Sequence, residues 1–154
     1  TTLIQLPGIG PKKAAMIARD FIMASKLGIY NPWFEGLRKR LRSKGFMVVS
    51  KYEYFSEVPV DIHVARVFIR IGLLGRKSPT YFRVVDNEEK LREIIPEITP
   101  HIQNIARIIY PELPGLTDSI LWDVGRKYCK TRQPKCPECP LNKICDYKKQ
   151  MRSR

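Results

Sequence analysis

All four cysteines of this 154-residue chain, Cys129, Cys136, Cys139 and Cys145, lie in one stretch near its C-terminal end, with gaps of six, two and five residues between them. Any fold that uses them together must turn one short loop back on itself. No apolar run reaches membrane-spanning length and no signal-peptide pattern opens the sequence, so the expectation is an intracellular protein with no membrane partner, in which thiols serve as metal ligands rather than disulfides. A structural zinc site usually pairs two Cys-x-x-Cys knuckles across a longer spacer, and only Cys136 and Cys139 form one. Four thiolates at unequal gaps suit a [4Fe–4S] cube, which takes one sulfur per iron. A basic four-cysteine zinc domain is the alternative.

The second constraint is the stretch Leu6-Pro7-Gly8-Ile9-Gly10-Pro11-Lys12-Lys13-Ala14. Two glycines one residue apart, closed by a proline before an alanine-rich apolar run, predict a tight turn opening directly into a helix. Without Cβ atoms at Gly8 and Gly10 a phosphate can approach the main chain, and the N–H groups at the helix start would face it. Lys12 and Lys13 then stand in the first turn, where a cation opposes the helix dipole. A helix-hairpin-helix gripping a nucleic-acid backbone explains them; a helical corner with solvated lysines is the plainer reading.

The remaining chain bears on the choice between these readings. With 28 lysines and arginines against 15 aspartates and glutamates the net charge is +13, which points to a polyanionic partner, nucleic acid first. The hydrophobic content of 44% suffices for a core in one domain or two small lobes.

The pattern along the chain is mainly helical. Ala14, Ala15, Ile17, Ala18, Phe21 and Ile22 recur at helical spacing, and Gly28 is placed to end that helix. Asn31-Pro32 opens an amphipathic segment with Phe34, Leu37 and Leu41 on one stripe; its Arg38, Lys39, Arg40, Arg42 and Lys44 read as a solvated face with an accessory role. Phe46–Val49 and Tyr52–Phe55 are short strand-forming runs. Asp61 stands at the N-cap of a helix buried through Val64, Val67, Phe68 and Ile71. Asp86 with Glu89 resembles a capping box, Pro96 interrupts the helix it starts, and Thr99-Pro100 restarts one that buries Ile102, Ile105, Ala106 and Ile109. Thr117 caps a last long helix that delivers Cys129.

Three matches, in order, give the chain a resemblance to the endonuclease III family of DNA glycosylases, the iron–sulfur branch of the helix-hairpin-helix superfamily with a Gly-Pro-Asp signature. They are Leu6-Pro7-Gly8-Ile9-Gly10 followed by a lysine, Val60-Asp61-Ile62-His63 with Arg66-Val67, and Gly125-Arg126 leading into the cysteine spacing. The resemblance covers the family's second half. It implies a partial helix-hairpin-helix glycosylase fold over residues 1–128 and an iron–sulfur loop with a basic tail over 129–154. It also implies Lys12 as the nucleophile of a glycosylase with AP-lyase activity, with Asp61 stabilising positive charge on the sugar and assisting proton transfer. The substrate would be double-stranded DNA carrying damaged bases or abasic sites. Gly8 and Gly10 would offer amides to phosphate beside Lys13, and Lys130, Arg132 and Lys135 would face DNA from the loop. Cys129, Cys136, Cys139 and Cys145 would hold a [4Fe–4S] cluster that is structural or charge-sensing and not the chemical catalyst. His63 matches a family histidine and is assigned a structural hydrogen bond.

Two departures from the family accompany these matches. Lys12 and Asp61 are unusually far apart in sequence, so residues 24–56 read as an insertion that must loop out and return Asp61 to Lys12. The family's amino-terminal helices, which wall the base pocket and carry the wedge that base flipping requires, have no counterpart here, and residues 1–6 leave room for barely one turn of the hairpin's first helix. Either that helix is stunted or the chain is a fragment, the rest coming from a preceding segment or a partner chain. A monofunctional glycosylase, with Asp61 activating water, and a non-catalytic DNA-binding iron–sulfur module are the rival functions.

Overall fold

A computed structural model describes residues 7–26, 36, 39–40, 42–45, 57–75 and 78–152. The chain divides into two units, Thr1–Pro59 and Val60–Arg154. The described residues form helices and turns, with no strand among them.

In the first unit a turn at Pro7 and Gly8 leads into α1, Pro11–Lys26. The sequence signals act here as expected. Gly8 adopts φ +78°, a conformation that disfavours any residue with a Cβ, and Pro11 opens the helix, where its missing N–H costs nothing. The Gly10 carbonyl accepts the first helical bond from Ala14 N at 3.0 Å. Lys39, Arg40, Arg42 and Lys44 are exposed, as a solvated basic face requires. Gly28, the apolar stripe Phe34, Leu37 and Leu41, and both strand-forming runs lie outside the described residues.

The second unit is built around α2, Ile62–Arg70, in which every residue from Val64 onward is buried. Around it stand α3 (Ser78–Tyr81), α4 (Glu88–Ile109), α5 (Leu116–Lys127), a 3-10 turn (Cys136–Glu138) and α6 (Asp146–Arg152). Helix α2 packs on α4 and α5 and touches α3 and α6. Val64, Val67, Phe68 and Ile69 meet Leu91, Ile98, Ile102 and Ala106 of α4, and Leu121 and Val124 of α5, in the unit's core. Burial of each such large side chain contributes about 1.5–3 kcal/mol. Gly72, at φ +86°, turns the chain out of α2, and a Cβ there would overlap the Asp146 carboxylate.

Three local expectations are corrected. Pro96 does not divide the helix: α4 runs unbroken through Pro96 and Pro100. Each proline forfeits one backbone bond, but the buried stripe Leu91, Ile98, Ile102 and Ala106 keeps both halves on α2, and Thr99 Oγ1 donates to Ile95 O at 2.7 Å instead of capping a new helix. The N-cap of α4 is Asn87, whose Oδ1 accepts from Glu89 N at 3.0 Å and Lys90 N at 3.1 Å. Asp86 is drawn instead to a buried cation, Arg70. Helix α5 begins at Leu116 after Gly115 with no side-chain cap, because Thr117 already lies within its first turn. That helix does deliver Cys129 just beyond its C-terminal end.

Gly125 sets how closely α5 approaches α2. A Cβ on it would lie 2.8 Å from both His63 Cβ and His63 O, and backbone cannot yield as a flexible side chain can. We expect Gly125→Ala to cost about 1–3 kcal/mol through overpacking, measured as a lowered urea midpoint at unchanged slope.

Candidate functional site

Each candidate residue is positioned by its own unit. In the first, Lys12 is half-buried and Lys13 exposed, and Lys13 Nζ donates to Gly8 O at 2.9 Å, tying the first turn of α1 back to the glycine turn. Among the described residues, a Cβ added at Gly10 would meet no atom within 4 Å. Gly10 itself is exposed.

In the second unit Asp61 is the N-cap of α2, with extended φ −128° and ψ −175°, and its Oδ1 accepts from His63 N at 2.9 Å and Val64 N at 3.0 Å. The carboxylate is half-buried and fixed at the positive end of the helix. Behind it, His63 lies edge-on to Trp122, with ring centroids 6.3 Å apart, and the Arg126 guanidinium sits 5.0 Å above the same indole. Lys12 belongs to the first unit and Asp61 to the second.

The far end of α2 carries the cysteine loop. Cys129, Cys136, Cys139 and Cys145 line one cavity together with Val67, Arg70, Val124 and Tyr128, and all four are free thiols, half-buried. Burial pushes the Cys129 and Cys145 thiols up from the ordinary range, while Arg70 and Arg66 pull Cys129 the other way. Among the described residues no three His, Cys, Asp or Glu side chains are placed to hold one metal ion. A mononuclear zinc needs four sulfurs about 2.3 Å from one centre, whereas a cluster with one thiolate per iron spreads its sulfurs around a larger body. Four thiols around a cavity, with no carboxylate or imidazole among its lining residues, fit the second donor set. Lys130, Arg132 and Lys135 are exposed on this loop. From Arg126 to the C-terminal residue the sequence holds ten basic residues and two acidic ones.

Two residues that hold the loop escape a sequence reading. Arg66 appears there only as part of a motif and Arg70 not at all, yet each is 1% exposed. Arg66 donates to Cys129 O at 3.3 Å and to Glu88 Oε1 at 3.2 Å, and Thr131 Oγ1 closes on the same Glu88 oxygen at 2.8 Å. Arg70 pairs with Asp86 at 2.6 Å and reaches the loop backbone. Burial and Arg70 lower the Arg66 pKa; for Arg70 burial acts the same way but is outweighed by Cys129 and Asp86, so that its pKa rises. The available signal was two arginines four residues apart in the otherwise apolar run Val64–Arg70. Such cations persist in a core only if the fold supplies their partners.

The chain is 30% identical to an endonuclease III of Bacillus subtilis over 108 residues, 68% of this chain and 39% of that protein. It is 36% identical to an endonuclease III of Rickettsia conorii over 90 residues, 57% of this chain and 33% of that protein. It is 40% identical to a thymine-DNA glycosylase of Aeropyrum pernix over 55 residues, 34% of this chain and 25% of that protein. The chain thus spans well under half the length of these relatives. No family model matches it. No solved structure matches it either.

The Arg66–Glu88 pair predicts an asymmetry. Glu88 is half-exposed, so Arg66→Met returns it to water and leaves stability within about 1 kcal/mol of the parent. Glu88→Ala strands a buried guanidinium and costs about 1–3 kcal/mol. Urea unfolding of the two variants side by side reads the difference.

Proposed function

Since this chain belongs to the endonuclease III family of helix-hairpin-helix DNA glycosylases, we propose that it serves base excision as a DNA glycosylase with AP-lyase activity, acting through Lys12 and Asp61. The observation that carries this reading is the arrangement of α2, with a capped, half-buried carboxylate at one end and a four-thiol basic loop pinned to the other. The partner is double-stranded DNA containing a damaged base or an abasic site.

In this reading the Gly8–Gly10 turn offers main-chain N–H groups to a backbone phosphate, which fixes register without reading sequence. Lys13, tied to Gly8 O, holds the turn against α1. The Lys12 amine attacks the sugar C1′ as the bond to the damaged base breaks, and the base leaves with a proton. The sugar ring opens, giving a protonated Schiff base between Lys12 and C1′. Loss of a C2′ proton then expels the 3′-phosphate and cuts the strand 3′ to the lesion. The Asp61 carboxylate stabilises positive charge as it develops on the sugar and takes part in the proton transfers. Its cap bonds hold it in place. Cys129, Cys136, Cys139 and Cys145 would hold a [4Fe–4S] cluster that braces the loop and takes no part in the chemistry, with Lys130, Arg132 and Lys135 presented to DNA phosphates.

Borohydride reduction on duplex DNA carrying an abasic site tests this directly. The expected result is a covalent complex that is lost with Lys12→Ala, kept with Lys13→Ala, and reduced by about 10²-fold or more in rate with Asp61→Asn. Loss with Lys13→Ala instead would shift the nucleophile by one residue. On duplex DNA carrying a damaged base, base release without trapping or strand cleavage would make the enzyme monofunctional.

A further inference from the structure

The cysteine loop is attached to the fold unevenly. Arg70 Nη1 donates to Cys129 Sγ at 3.3 Å and to Lys130 O at 2.7 Å, and Nη2 donates to Thr131 O at 3.0 Å. At the loop's other end the Cys145 thiol donates to Arg70 O at 3.3 Å, and the Tyr147 ring lies 4.7 Å from the same guanidinium while its hydroxyl bonds Asp86. The first and last cysteines therefore both touch one residue. The middle of the loop, with Cys136 and Cys139, is tied differently: Lys135 N donates to Tyr128 O at 2.8 Å, Asn142 Nδ2 to Pro137 O at 3.0 Å and Cys139 N to Cys136 O at 3.3 Å. Those bonds stay within the loop or reach only the end of α5.

We propose that Arg70 is a positioning residue for metal ligation, setting Cys129 and Cys145 in place before any metal group binds, so that the loop closes last at the Cys136–Cys139 knuckle. A guanidinium 1% exposed needs acceptors within the protein, and those of Arg70 are the Asp86 carboxylate, the loop's own carbonyls and the Cys129 sulfur. The ordering entropy of two of the four ligands is met by folding and not by metal capture. The proposal rests on the reading of the four cysteines as ligands, but its content concerns the chain without metal.

The test uses the full chain after chelator removes metal under reducing conditions. A pulse of N-ethylmaleimide followed by peptide mass spectrometry should find Cys129 and Cys145 alkylated about tenfold more slowly than Cys136 and Cys139. Trypsin, indifferent to thiol ionisation, should cut after Lys135 and Lys143 before it cuts after Lys130. Arg70→Lys should raise the Cys129 rate towards those of Cys136 and Cys139 and open the Lys130–Thr131 bond, while Cys145, bonded to the residue-70 carbonyl that the substitution keeps, changes less. Asp86→Asn, which leaves Arg70 in place but removes the charge of its partner, should shift both readouts the same way by less, and it decides the matter if circular dichroism shows Arg70→Lys unfolded. Equal rates at all four cysteines in the parent, or a parental pattern in the folded variants, would overturn the proposal. Should the chain as purified carry zinc or no metal, the ligand reading changes while these rates still decide the role of Arg70.

Discussion

A guanidinium removed from water is among the more demanding groups a small core can hold, and Arg70 dictates much of what surrounds it. Its charge needs a carboxylate, supplied by Asp86 just before α4, and its N–H groups need acceptors, supplied by the backbone after Cys129. Arg66, one turn earlier, repeats the demand on Glu88 and the Cys129 carbonyl. Together they bind α2, the turn into α4 and the start of the cysteine loop, and Tyr147 adds α6. Losing the acceptor at Asp86, at Glu88 or on the loop backbone strands a buried guanidinium donor, so these contacts depend on one another.

Helix α2 turns this anchoring into positional precision. Nine residues at about 1.5 Å each make a rod of roughly 13 Å, stiff on the scale of a site. Asp61 caps one end and Arg70 lies at the other, while the close approach of Gly125 to His63 sets the helix against α5. The carboxylate proposed for catalysis and the thiols proposed for ligation are thus carried by one element. That gives the cysteine loop a structural role at a distance from the chemistry without requiring it to take part.

What could be read from the sequence was local. Gly8, Pro11 and the Asp61 cap announce themselves because each answers a backbone requirement within a few residues, and the cysteine spacing marks its loop without reference to the fold. Arg66 and Arg70 were hidden because their partners, at Asp86, Glu88, Cys129 and Thr131, are distant in sequence and only tertiary structure pairs them. The same holds for α4: two prolines read as a break, and it is the shared buried stripe against α2 that keeps the helix whole. Asp86 looked like a cap until its true partner, a cation sixteen residues away, was visible. The expected insertion at 24–56 lies largely outside the described residues.

The proposed [4Fe–4S] cluster on Cys129, Cys136, Cys139 and Cys145 would sit in the cavity at the end of α2. Iron and acid-labile sulfide measured on chain purified without oxygen test it most directly. About four of each per chain are expected, with the broad visible absorption of a cluster, both lost in Cys136→Ser. One zinc per chain and a colourless protein would contradict it.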